Sequence, residues 1–151
     1  MSGIVNISVS DNGVIQSDYC LTPSSGADGY FLECGLTLKL DSIFDTFRWL
    51  GEGPFTYTPG KTMYNKRNCW ALHKNDLRFI GNRGLVDIAV ATDKQRGIGL
   101  WSDNGNIGVE NINGSIYISQ NAIVTGYGSK FTAPQKRKTC LLYTSPSPRD
   151  S

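Results

Sequence analysis

No apolar run in the 151-residue chain approaches the ~20 residues that a membrane-spanning helix requires. The N-terminal MSGIVNISVS lacks a basic segment followed by an apolar one, so no secretory signal is expected there. Histidine occurs once, as His73, and no His-x-x-x-His, Cys-x-x-Cys or Gly-x-Ser-x-Gly spacing is present. Metal centres and serine triads need convergent partners that such spacings supply, so no metal, no cofactor and no catalytic residue is expected. His73 is read as a surface or hydrogen-bonded side chain. The net charge of +2 argues neither for nor against nucleic acid, and the basic residues are scattered apart from Lys136-Arg137-Lys138. No nucleic-acid partner is therefore expected.

The acids are equally dispersed. A polysaccharide hydrolase or lyase needs two carboxylates facing each other across a cleft. Asp87, Asp93, Asp103 and Glu110 instead stand at polar strand positions or in turns. Asp93-Lys94-Gln95-Arg96 has no phosphate-loop pattern, and GIGLWSDNGNIG fails as a dinucleotide fingerprint because no helix can follow it.

What the chain does have is glycine, 17 of them, and a regular apolar beat. From Gly84 to Gly126 the pairs Ile88/Val90, Ile98/Leu100, Ile107/Val109 and Ile116/Ile118 begin ten, nine and nine positions apart. Alternate residues share one face of a strand, so each pair reads as a short strand. Between the pairs lie Asp93–Gly97, Asp103-Asn104-Gly105 and Asn111-Ile112-Asn113-Gly114, rich in residues that turn the chain tightly. Such a step leaves room for a strand and a turn but for no helix, so the fold class is all-β. Antiparallel hairpins and stacked β-helical coils both satisfy it.

The same grammar recurs earlier. Gly3–Val9 alternates and meets the turn Asp11-Asn12-Gly13, which predicts a hairpin or the first rungs of a stack. Tyr30–Leu32 and Gly35–Leu40 read as strand, with Leu36, Leu38 and Leu40 on one face. Residues 42–50 break the pattern: Ser42 and Asp45 resemble a capping box, and Ile43, Phe47 and Leu50 recur at helical spacing before Gly51. One short helix is predicted there. Gly53–Trp70 then gathers Phe55, Tyr57, Tyr64 and Trp70 among prolines and glycine. These rings either cap a β stack or, with Trp101, offer flat faces to a sugar: Phe55, Tyr57, Trp70 and Trp101 are the candidate glycan-binding residues. Strand character resumes at Leu77–Ile80, Gly81-Asn82-Arg83-Gly84 reads as a turn, and Phe131-Thr132-Ala133-Pro134 reads as a last strand.

Two resemblances extend this reading. DNGNIGVENINGSIYISQNAIV and the closing Phe131–Pro134 resemble the β-helical spike and baseplate-hub regions of tailed phages and related contractile injection systems, over residues 77–134. That resemblance implies a non-enzymatic structural role: a rigid, intertwined homotrimeric β-helix or β-prism rod in a phage tail, assembled in the host cytoplasm alongside other tail and baseplate proteins. Cys140–Asp150 resembles a translated sequencing adapter, which implies a truncated frame from a metagenomic assembly and leaves Cys20, Cys34 and Cys69. An odd number without zinc spacing points to reduced, partly buried thiols. Strands that bury only two apolar residues each cannot close a core, so burial against neighbouring copies is expected. The expected division is 1–76, a β-rich region with the aromatic block; 77–134, a β-repeat stalk; and 135–151, a tail outside the fold. A carbohydrate-binding tail fibre or surface adhesin, with a cell-surface glycan as partner, is the alternative function; a fragment of a β-helical polysaccharide lyase or hydrolase is the other.

Overall fold

The computed structural model describes residues 2–22, 33–57, 64–77, 81–103, 105–124 and 141–142. The chain is all-β and divides into two compact units, one of residues 1–30 with 136–151 and one of residues 31–135. In the first, β1 (Ser2–Val9) and β2 (Ile15–Thr22) form an antiparallel hairpin from Ser2↔Thr22 to Val9↔Ile15. The turn is the one predicted from Asp11-Asn12-Gly13: Gly13 N donates to Ser10 O, and Ser10 N donates to Val14 O. Leu141–Leu142 pairs with Leu21 and Cys20 of β2 and so belongs to this sheet, although 135–151 were expected to lie outside the fold. An edge strand with unpaired backbone groups accepts any short segment that reaches it.

The second unit is a sandwich of two four-stranded antiparallel sheets. In one the order is β3 (Glu33–Lys39), β10 (Ser115–Val124), β9 (Ile107–Ile112) and β6 (Gly81–Arg83). In the other it is β5 (Lys66–His73), β4 (Thr46–Gly53), β7 (Ile88–Thr92) and β8 (Gly97–Leu100). Their inner faces share one core: Phe47, Trp49, Ala89, Ala91 and Leu100 from one sheet meet Ile107, Val109, Ile116 and Ile118 from the other. The expected 76/77 boundary does not separate units, since β3 and β4 pair with β10 and β7 across it.

The apolar beat is read correctly as strands and incorrectly as a winding stack. β7 and β8 form one hairpin, β9 and β10 another, and the two lie in different sheets. The constant step therefore hides a crossing between layers at Trp101–Asn106, where Gly105 adopts φ +65°. The Ile107/Val109 and Ile116/Ile118 pairs do face the core, but at β7 the faces are exchanged: Ala89 and Ala91 are buried while Ile88 is 43% exposed. The register explains this. Ala89 lies opposite Trp49 and Ala91 opposite Phe47, so small side chains make room for two large rings where isoleucine and valine would overfill the layer. The Asn113-Gly114 turn needs positive φ at both positions, 51° and 83°, to join Ile112 to Ser115 in two residues, which is the demand Asn-Gly satisfies best.

The predicted helix at 42–50 is instead a turn and a strand. Asp41 Oδ1 accepts from Ile43 N at 3.0 Å, and β4 starts at Thr46. Pairing with β5 on one side and β7 on the other overrides the helical spacing, and burial in β4 follows period two through Phe47, Trp49 and Gly51. Gly81-Asn82-Arg83, expected as a turn, is the buried edge strand β6, paired from Gly81↔Val109 to Arg83↔Ile107. Among the described residues the only helical element is the three-residue 3₁₀ turn Lys74–Asp76. Residues 30–32, 78–80 and 131–134, also expected as strand, lie outside the described residues.

Candidate functional site

The sandwich carries a cavity of about 180 Å3 between β5, an edge of one sheet, and β6, an edge of the other. Pro54, Phe55, Thr56, Leu72, Asp76, Leu77 and Arg83 line it. Each is placed by a local cause. Leu72 lies opposite Phe47 in the ladder and turns inward with it. Asp76 and Leu77 follow from the 3₁₀ turn, which His73 caps by accepting from Asn75 N on Nδ1 at 3.2 Å. The segment that leaves β4 is held at two points: Phe55 N donates to Asn65 Oδ1 at 3.1 Å, and Tyr57 N donates to Asn82 O at 2.7 Å. Between them the Phe55 ring is 61% exposed.

Arg83 is the unusual wall residue. It is only 6% exposed, and its guanidinium carbon sits 5.0 Å from the Trp49 ring centroid, a cation–π arrangement. Nη1 reaches Asn82 O only at 3.5 Å, and the buried Nε has no acceptor. Among the described residues no carboxylate pairs with it. Burial pushes its pKa down to about 10, because removal from water penalises the charged form. Leaving a buried donor unsatisfied costs roughly 1–3 kcal/mol. Such a group, at the wall of a concave and mostly apolar cavity, is a candidate ligand contact.

On the face of the β3-β10-β9-β6 sheet away from the core, a polar row continues from β6. Asn121 Nδ2 donates to Glu33 Oε2 at 3.0 Å and approaches Asn82 Oδ1 at 3.4 Å, while the buried Asn82 Nδ2 has no acceptor. Glu33 titrates above the usual carboxylate range, chiefly because burial disfavours its charge and secondarily because Glu110 repels it, against the lowering effect of the Asn121 bond. This row fixes β3 and β6 to the central strands.

The four aromatic candidates do not converge. Phe55 faces the cavity. Tyr57 is half-buried and lies flat against Gly84, where a β-carbon would come within 2.2 Å of its ring; this contact requires glycine. Trp70 packs on Trp49 at 6.4 Å between centroids and donates from Nε1 to Gly51 O, so it is a core residue. Trp101 is 56% exposed but follows β8, at the sheet edge opposite β5. The four acids singled out in the sequence do not line the cavity either. Asp87 pairs with Arg67, Asp93 accepts from Gln95 N and Arg96 N in its turn, Asp103 is exposed, and Glu110 stands on the outer face of β9. The two backbone bonds hold the Asp93 carboxyl below its ordinary range. Of the cysteines, Cys34 is buried, Cys20 half-buried and Cys69 exposed.

Sequence reasoning missed Arg83 and Asp76. Arg83 stood between glycines in a segment whose composition reads as a turn, and the available signal was its position one residue after an asparagine in a strand-rich stretch. No protein-family model matches the chain, and a search of curated proteins finds no match.

Proposed function

We propose that the chain is a non-enzymatic, carbohydrate-binding β-sandwich of the kind that serves attachment in a tail fibre or surface adhesin. The observation that carries this reading is the exposed Phe55 ring beside a cavity that is also lined by the buried Arg83, whose Nε has no acceptor. A flat ring supplies apolar contact to the C–H face of a pyranose, and polar groups at the wall fix orientation. Among the described residues the cavity lining holds a single acid, Asp76, where glycoside hydrolysis uses a facing pair, which supports binding without hydrolysis. A trimeric rod in a phage baseplate drew its physical motive from strands too thin to shelter themselves. That motive is met within one chain by Phe47, Trp49 and Leu100, which leaves the rod reading with the spike-like repeat alone.

A glycan array probed with the whole chain tests the proposal. Binding is expected, and Phe55→Ala is expected to weaken it about tenfold by removing the stacking face. Trp101→Ala should leave it unchanged. Absence of binding to any glycan, or loss with Trp101→Ala and not with Phe55→Ala, would overturn the reading.

A further inference from the structure

Resting on that carbohydrate-binding reading, we infer that the cavity beside Phe55 selects a single neutral pyranose ring over acidic and amino sugars. Three observations carry this. The first is size: about 180 Å3 is well below the roughly 300–1,000 Å3 of sites that enclose drug-sized ligands, so the cavity takes one ring and leaves the remainder of a chain outside. The second is charge. Among the described residues the lining holds one acid, Asp76, and one base, Arg83, whose formal charges cancel, and no ion pair joins the two.

The third is hydrogen-bonding chemistry. A ring hydroxyl both donates and accepts, so adjacent hydroxyls can donate to the Asp76 carboxylate and accept from the Arg83 guanidinium. An acidic sugar gains at Arg83 but brings a second negative charge beside Asp76. An amino sugar gains at the exposed Asp76 but brings a cation against the buried, already desolvated Arg83. Only the neutral ring meets both groups without a like-charge contact. Pro54 and Leu72 complete the apolar wall on which its C–H face rests.

The test is an NMR titration of the whole chain with methyl glucoside, methyl galactoside, glucuronic acid and glucosamine, read at the amides of Phe55, Leu72 and Leu77. At least one neutral glycoside is expected to shift these amides saturably in the millimolar range, with both charged sugars about tenfold weaker. Asp76→Asn, at an exposed position that does not threaten folding, is expected to raise the affinity for glucuronic acid relative to the neutral glycoside about tenfold. Equal binding of all four sugars, preference for a charged one, or no gain for glucuronic acid in the Asp76→Asn chain would overturn the selectivity and leave the carbohydrate reading standing. No shift at these amides with any sugar would overturn both.

Discussion

Phe47→Ala is expected to lower unfolding free energy by about 3–5 kcal/mol, measured as a shift of the urea midpoint at unchanged m-value. Phe47 is fully buried, its ring stacks on Trp49 at 5.6 Å, and its backbone lies between Leu72 of β5 and Ala91 of β7. Truncation leaves a ring-sized hole that Ala91 is too small to fill, so the cavity cost adds to the lost burial. Against a total stability on the order of 5–15 kcal/mol, that loss brings the fold close to unfolding. Leu38→Ala, at a position 48% exposed on an outer strand, is expected to cost under about 1 kcal/mol. Equal effects at the two positions would mean that the shared core does not hold the sheets together.

Arg83→Met is expected to act in the opposite direction on stability and to abolish sugar binding. Burial lowers the arginine pKa to about 10, well below its ordinary range, a penalty on the charged form of roughly 3 kcal/mol at about 1.4 per unit. Its contact with the Trp49 ring returns about 2 kcal/mol at such a desolvated site, so the buried cation is a net cost to folding on the order of 1 kcal/mol. Methionine keeps much of the volume and removes the charge, which predicts a gain of about 1–2 kcal/mol. The sign with pH follows: the folded pKa lies below the unfolded one, so the cost is fully present at neutral pH. It is relieved only as pH rises through about 10 toward the ordinary arginine range. A stabilised variant that no longer binds sugar is the signature of a residue retained for function. A destabilised variant would make Arg83 a structural support of β6.

Much of this fold was legible in the residues. Alternation placed β1, β3 and β7–β10, and Asp11-Asn12-Gly13, Asp93–Gly97 and Asn113-Gly114 marked turns. What was hidden depends on contacts between distant segments. Nothing local to Ile88–Thr92 says that Ala89 and Ala91, and not Ile88 and Val90, face inward; that follows from the rings of Trp49 and Phe47, some forty residues earlier. The 42–50 segment has an honest helical spacing that double-sided strand pairing overrules. The change of layer after Leu100 leaves the step between strands untouched, so the repeat could not announce it. The site was hidden for the same reason: Phe55 was visible as an aromatic candidate, whereas Asp76 and Arg83 join it only because β5 and β6 end as facing edges.

The account depends on Ile107, Val109, Ile116 and Ile118 being sheltered by β4 and β8 of the same polypeptide. Amide hydrogen exchange of the whole chain, followed at two protein concentrations about tenfold apart, tests this directly. The prediction is that amides of β4, β9 and β10 exchange slowest, together, and at rates that dilution does not change. Protection of β9 and β10 that weakens on dilution, while β4 exchanges independently of them, would contradict it, because such strands would owe their shelter to neighbouring chains.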